Sequence, residues 1–255
     1  MRNTSKVLLI GLFLSATLAF TGTVYANHFW ADYHWARTAN PLNLKLGDNV
    51  SSIWDSHLAL ASADWSLSSV LDTSIVLGRA NPRNCRPTNG RVEVCNSRYG
   101  NNGWLGVAQI WVSGSHITQG TVRLNDTYFN TSPYNSAIWR QFVTCQEIGH
   151  TFGLDHQDED FNNANLNTCM DYARDPSTNT HPNAHDYEAL EIIYAHLDSI
   201  VTAFSKTQTS GSTLDASEAS EWGTTVRKSK DGRSSLHERD LGRGQKIFTF
   251  VIWAD

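Results

Sequence analysis

The eleven residues from Gln146 to His156, QEIGHTFGLDH, constrain this chain more than any others. On a helix, side chains four apart lie one above the other, so Gln146 and His150 can point at a single ion. Glu147 is offset around the helix and stands beside that position rather than sharing it. Gly153 ends the helix, because the turn needs a residue that tolerates positive φ. Beyond it the chain returns His156 from another direction. Upstream, Ile138, Trp139, Phe142 and Val143 continue the same helical stripe, and Ser132-Pro133 is expected to supply its N-cap and first-turn proline.

Fourteen positions after His156 stands Met170, in CMDY. With it, the segment resembles the H-E-x-x-H-x-x-G-x-x-H plus Met-turn pattern of the metzincin zinc peptidases, with Gln146 in place of the first histidine. Gly149, Leu154, Asp171 and Tyr172 resemble the matrixin version, whereas Gln157 stands where matrixins commonly have serine. GWLGVAQIWV resembles the upper-rim strand of a matrixin cleft, and NAHDYEALEIIYAHLD its last helix. The resemblance covers roughly residues 27–198, most specifically 146–172.

The resemblance implies an α/β fold: a metzincin-like twisted mixed sheet with an active-site helix and a C-terminal helix; outside it, residues 222–255 are expected to add a small C-terminal β extension. It implies one catalytic Zn2+ held by His150, His156 and Gln146, with the fourth position open to water. Glu147 is then the general base, and Met170 an apolar floor rather than a ligand. The partner is a peptide or protein substrate, extended antiparallel to the strand around Leu105–Ala108, with a pocket beyond Tyr172. The expected activity is that of a secreted metalloendopeptidase. The alternative is a catalytically inactive metzincin-like protein that binds peptides or a surface. No PRCGxPD-like segment is present, so the matrixin form of latency is not expected.

Gln146 is the departure that matters. Its amide oxygen sits as many bonds from Cα as an imidazole Nε2, and both groups are neutral. An amide oxygen is a poorer donor to zinc, which favours nitrogen and sulfur. Weaker zinc binding, or tolerance of an oxygen-preferring metal, follows. A weaker donor also leaves the metal more electron-poor and better able to acidify water. His116, His181 and His185 lie outside the pattern and are not assigned as ligands.

The first 26 residues read as a secretory signal: Arg2 and Lys6, the apolar run VLLIGLFLSATLAF, then Val24-Tyr25-Ala26. Cleavage there removes two positive charges and takes the formal net charge from −5 to −7, which argues against nucleic acid as a partner. No later segment is apolar enough to cross a bilayer, so no membrane association is expected after cleavage. Four cysteines in an exported chain invite pairing. Cys85 and Cys95 flank the turn signal Asn89-Gly90 and are expected to pair. The metzincin resemblance implies that Cys145 and Cys169 meet beneath the metal and form the second bridge.

Residues 27–204 are expected to form the catalytic domain, 205–221 a Ser/Thr-rich linker, and 222–255 a small extension ending in the strand KIFTFVIW. Within the domain, Leu42, Leu44 and Leu46 alternate as a strand does. Ile53, Trp54, His57, Leu58, Ala61 and Trp65 follow helical spacing. Strands are expected at 74–77, 104–113 and 117–124, and an irregular excursion at 80–103. HQDEDFNNANLN reads as an acidic loop; its oxygens suit Ca2+, but no coordination spacing is evident. A helix starts near Asn183, with Asp186 as capping partner and Tyr187, Leu190, Ile193, Tyr194 and Leu197 as its buried stripe.

Overall fold

The computed structural model describes residues 28–203 and 218–254. The expected signal segment and most of the expected linker lie outside the described residues. Among those described, nine strands form one mixed sheet with four α-helices. The strands are β1 (His34–Trp35), β2 (Leu42–Asn49), β3 (Leu71–Leu77), β4 (Val92–Ser97), β5 (Trp104–Ser113), β6 (His116–Asn125), β7 (Thr224–Lys228), β8 (Ser234–Gly242) and β9 (Gln245–Trp253). The helices are α1 (Ser52–Trp65), α2 (Asp126–Phe129), α3 (Ala137–His150) and α4 (Ala184–Ile193). The strand order is β3-β2-β4-β6-β5-β9-β8-β7, with β1 beside β6. The β2, β3, β4, β6 and β1 pairings are parallel, and those from β6 through β5 to β9, β8 and β7 antiparallel.

Local sequence explains most of these elements. Leu42, Leu44 and Leu46 all face the core of β2. In α1, Trp54, Leu58, Ala61 and Trp65 are buried, while Ile53 is 52% exposed and lies off the apolar stripe. The α4 N-terminus carries a reciprocal capping box between Asn183 and Asp186. Leu197 falls beyond the end of α4 and is exposed.

Two expectations are corrected. The active-site helix begins at Ala137, not at Ser132-Pro133. The Thr131 carbonyl accepts from the amides of Tyr134 and Asn135, so a turn fills that stretch. The Ser136 hydroxyl then accepts from Trp139 N at 3.2 Å as the true N-cap. The excursion at 80–103 contains β4, a parallel strand between β2 and β6, so Asn89-Gly90 is a turn but not the tip of a hairpin. β4 buries Glu93 completely. Its carboxylate is met by Arg91 Nε at 3.0 Å, Asn49 Nδ2 at 2.7 Å and the Arg79 amide at 3.1 Å. Gly47 leaves room for this pair, since a Cβ there would lie 2.1 Å from Arg91 Nη2.

Helix α1 packs on α3 and β3, and α3 on β5 and β6. Strand β5 is buried from Trp104 to Val112. Its two faces feed different clusters, with Leu105, Ala108 and Ile110 in the main core and Trp104 and Val107 grouped with Trp222 and Val251. The C-terminal strands therefore belong to the same sheet, and Leu236, Phe248, Phe250 and Ile252 sit in its main core. Disulfides join Cys85 to Cys95 and Cys145 to Cys169.

Candidate metal centre

Helix α3 delivers Gln146, Glu147 and His150 to the interior, each at most 1% exposed. Gly153 then turns the chain at φ 99°, and a Cβ there would lie 2.2 Å from the Tyr33 carbonyl oxygen. Both facts demand glycine. The turn brings His156 against His150, with ring centroids 4.5 Å apart and planes at 84°. Met170 is fully buried below the helix, and a Cβ on Gly149 would lie 2.7 Å from its sulfur. The loop after His156 is tied to that turn, with Gln157 N donating to the Met170 carbonyl at 2.6 Å.

The outer partners fix which imidazole nitrogens face inward. His150 Nδ1 lies 2.9 Å from the Leu154 carbonyl oxygen. A carbonyl only accepts, so Nδ1 carries the proton and Nε2 of the neutral ring keeps its lone pair. His156 Nδ1 is likewise engaged by Glu159 Oε1 at 3.1 Å. Burial, with His156 alongside, holds the His150 pKa well below its ordinary value, which keeps it neutral. Burial also pushes the Glu147 carboxyl well up, opposed by a hydrogen bond from the Ala108 backbone. Gly106 makes room for that carboxyl, since a Cβ there would lie 2.6 Å from Glu147 Oε1.

Four buried polar atoms at this place have no hydrogen-bond partner: Gln146 Oε1, Gln146 Nε2, Glu147 Oε2 and His156 Nε2. Each such atom costs about 1–3 kcal/mol when left unsatisfied. A cation with a bound water satisfies three of them, Gln146 Oε1, His156 Nε2 and Glu147 Oε2, and leaves the Gln146 Nε2 hydrogens in need of an acceptor. The donors present therefore fit a divalent metal.

Asp155, His156 and Glu159 also gather ligand atoms within 4.8 Å. Both carboxylates are already committed. Arg227 of β7 grips Asp155 through two nitrogens, one at 2.6 Å, and its Nε lies 3.1 Å from Glu159. Burial raises the pKa of both acids, but the Arg227 bond to Asp155 and the His156 bond to Glu159 bring each below its usual value. They serve to hold His156 in place.

The edge expected to receive substrate is filled in this structure. The strand around Leu105–Ala108 offers no free edge for an extended substrate. β9 lies antiparallel along it, with Val107 opposite Val251 and Ala108 opposite Phe250. Phe250 stacks on His150, centroids 4.3 Å apart and planes at 8°. Tyr172 is buried between His156 and Phe161 at 4.3 and 4.5 Å. Arg227 and Phe250 carried no sequence signal of a role here. The apolar run KIFTFVIW marks a strand and says nothing of its neighbour.

No protein-family model and no curated protein sequence matches this chain. Among solved structures it is similar to that of myroilysin, at 10% identity over 66% of this chain and 98% of the other, TM-score 0.38. It is also similar to high choriolytic enzyme 1, a hatching enzyme zinc-protease from medaka, Oryzias latipes. There the identity is 12% over 64% and 94% of the two chains, TM-score 0.36. At scores this low a likeness carries no weight for function; the side chains at the site do.

Proposed function

We propose that this chain is an exported metalloendopeptidase of the metzincin kind, described here in a closed form. The observation that carries it is the set of partnerless buried donors on Gln146, Glu147 and His156, beside a His150 whose Nε2 is left free for a metal. His150, His156 and Gln146 would hold one zinc ion, and Met170 would pack beneath them. Bound zinc supplies Lewis acidity that brings a coordinated water near neutral pKa. Glu147 Oε2 is the group that would accept a proton from such a water and return it to the leaving amine. The protein's own contribution is to seat Glu147 against the Ala108 amide in a dry site and to fix both imidazoles by their Nδ1 atoms. The two disulfides suit an oxidising, extracellular compartment.

The closed form follows from β9. It occupies the β5 edge along which a peptide would bind, and Phe250 covers His150. Cleavage then requires β7–β9 to move away. The same observation favours a second reading, in which the cleft is permanently filled and the fold serves only for binding.

The test measures metal content and peptide cleavage in the full chain after folding with zinc. We expect a metal whose retention depends on His150, and cleavage that Glu147→Ala abolishes while that metal stays bound. A folded, zinc-supplied protein whose metal content is the same with and without His150 overturns the proposal.

A further inference from the structure

A second group of imidazoles lies away from α3. Strand β1 pairs with β6 in a register that sets His34 beside His116. The segment after α4 is fastened to the chain following β1. Asp198 N donates to the Arg37 carbonyl at 2.8 Å, Arg37 N donates to Asp198 Oδ2 at 3.0 Å, and Thr202 N donates to the Ala36 carbonyl at 2.9 Å. These bonds carry His196 and Asp198 to the two strand histidines. None of the four residues belongs to the α3 centre.

The distances among their ligand atoms are specific. Asp198 Oδ1 lies 3.4 Å from His34 Nε2, 3.2 Å from His116 Nε2 and 3.6 Å from His196 Nε2. His34 Nε2 and His196 Nε2 are 3.2 Å apart. Zinc bonds to nitrogen and oxygen of about 2.0–2.1 Å in a tetrahedron place the ligand atoms about 3.3 Å from one another. His34, His116 and Asp198 have ligand atoms all within 4.8 Å of one another, and His196 Nε2 adds two separations near the length of such an edge.

Hydrogen bonding alone accounts for them poorly. His34 Nδ1 is 2.6 Å from the Asp32 carbonyl oxygen, so Nδ1 donates and the neutral ring presents a bare Nε2. His34 is buried, and that lone pair faces a carboxylate oxygen, with His196 Nε2 at 3.2 Å as the donor within reach. Three nitrogens compete for one oxygen, because Asp198 Oδ2 is taken by the Arg37 amide and guanidinium. A carbonyl behind His34 and an amide behind Asp198 are the outer partners that commonly orient metal ligands.

We propose that His34, His116, His196 and Asp198 form a structural zinc site. Its three imidazoles and one carboxylate close the tetrahedron and leave no position for a substrate or a reactive water. The ion pins the segment after α4 to β1 and β6. It is independent of the peptidase reading.

The experiment strips metals from the full chain with a chelator, adds zinc, and measures zinc per chain together with the melting temperature. The proteins are wild type, His196→Ala, His150→Ala and the double variant. His196 is 55% exposed at its side chain, so its removal opens no cavity in the core. His150→Ala should keep a tightly held zinc that the double variant loses, and zinc should raise the melting temperature of wild type more than that of His196→Ala. Failure of the α3 centre would show instead as wild-type zinc content unaffected by His150→Ala but abolished by His196→Ala. Equal zinc content and equal thermal response with and without His196 overturn the proposal.

Discussion

Phe250 lies flat against His150, and the two rings belong to segments a hundred residues apart in sequence. One is on the helix that carries the proposed metal ligands, the other on the last strand of the sheet. In the proposed enzyme, access to the centre would be controlled by how firmly β9 stays paired with β5. Phe250→Ala should lower stability by about 3 kcal/mol, as removal of a buried aromatic does. Arg227→Ala should free Asp155 and Glu159 and loosen β7. Both variants should cleave a fluorogenic peptide faster than wild type at equal zinc. Unchanged rates in both, with the metal bound, would favour the permanently filled cleft.

Gln146→His should raise zinc affinity at the α3 centre by about tenfold or more, because it replaces an amide oxygen with an imidazole nitrogen of similar reach. Competition with a chromophoric chelator measures this directly. His196→Ala is the background of choice, so that only one zinc is read.

Gly149→Ala should destabilise the fold by about 1–3 kcal/mol through overpacking. Its methyl would lie 2.7 Å from both the Met170 sulfur and Trp65 Cζ2. The denaturant midpoint reports the loss, and zinc affinity should fall with it because the floor of the site is displaced.

Acid should weaken the protein through His57 and His237. Burial lowers the pKa of each from the ordinary 6.5; for His57 a bond to Gln141 opposes this and the Arg140 charge adds to it. The unfolded chain therefore takes up protons at a higher pH than the folded one. Stability is full above pH 6.5 and declines as the pH falls through the lowered native values. Both side chains are about half-buried, so the slope is modest. Denaturant midpoints between pH 7.5 and 5.5 should fall less steeply in His57→Gln than in wild type.

Much of the candidate site was legible because its geometry is local. The spacing of Gln146, Glu147 and His150 is helical, Gly153 announces its turn, and Asn183 with Asp186 marks the start of α4. Local pattern failed where long-range contacts decide. Val92 and Val94 lie in β4, yet Arg91 and Glu93 make the stretch look solvent-facing; their charges are buried against each other and Asn49. The start of α3 was misplaced because Ser132-Pro133 and Ser136 both carry cap chemistry, and only the turn at 131–135 separates them. His34, His116, His196 and Asp198 meet only through the β1–β6 register and the bonds of the Arg37 segment to the chain after α4. No spacing rule reaches across such distances.

The position of β9 has one more consequence. With it in place, the outermost strand on that side is β7, five residues long and bearing Arg227 and Lys228, a short charged border that discourages other chains from adding on. Were β7–β9 to leave, the border would be β5, a ten-residue apolar ribbon with its amides and carbonyls unmet. The opened molecule would be adhesive toward any extended polypeptide, its own copies included. Concentration would then decide whether opening yields a working enzyme or an aggregate.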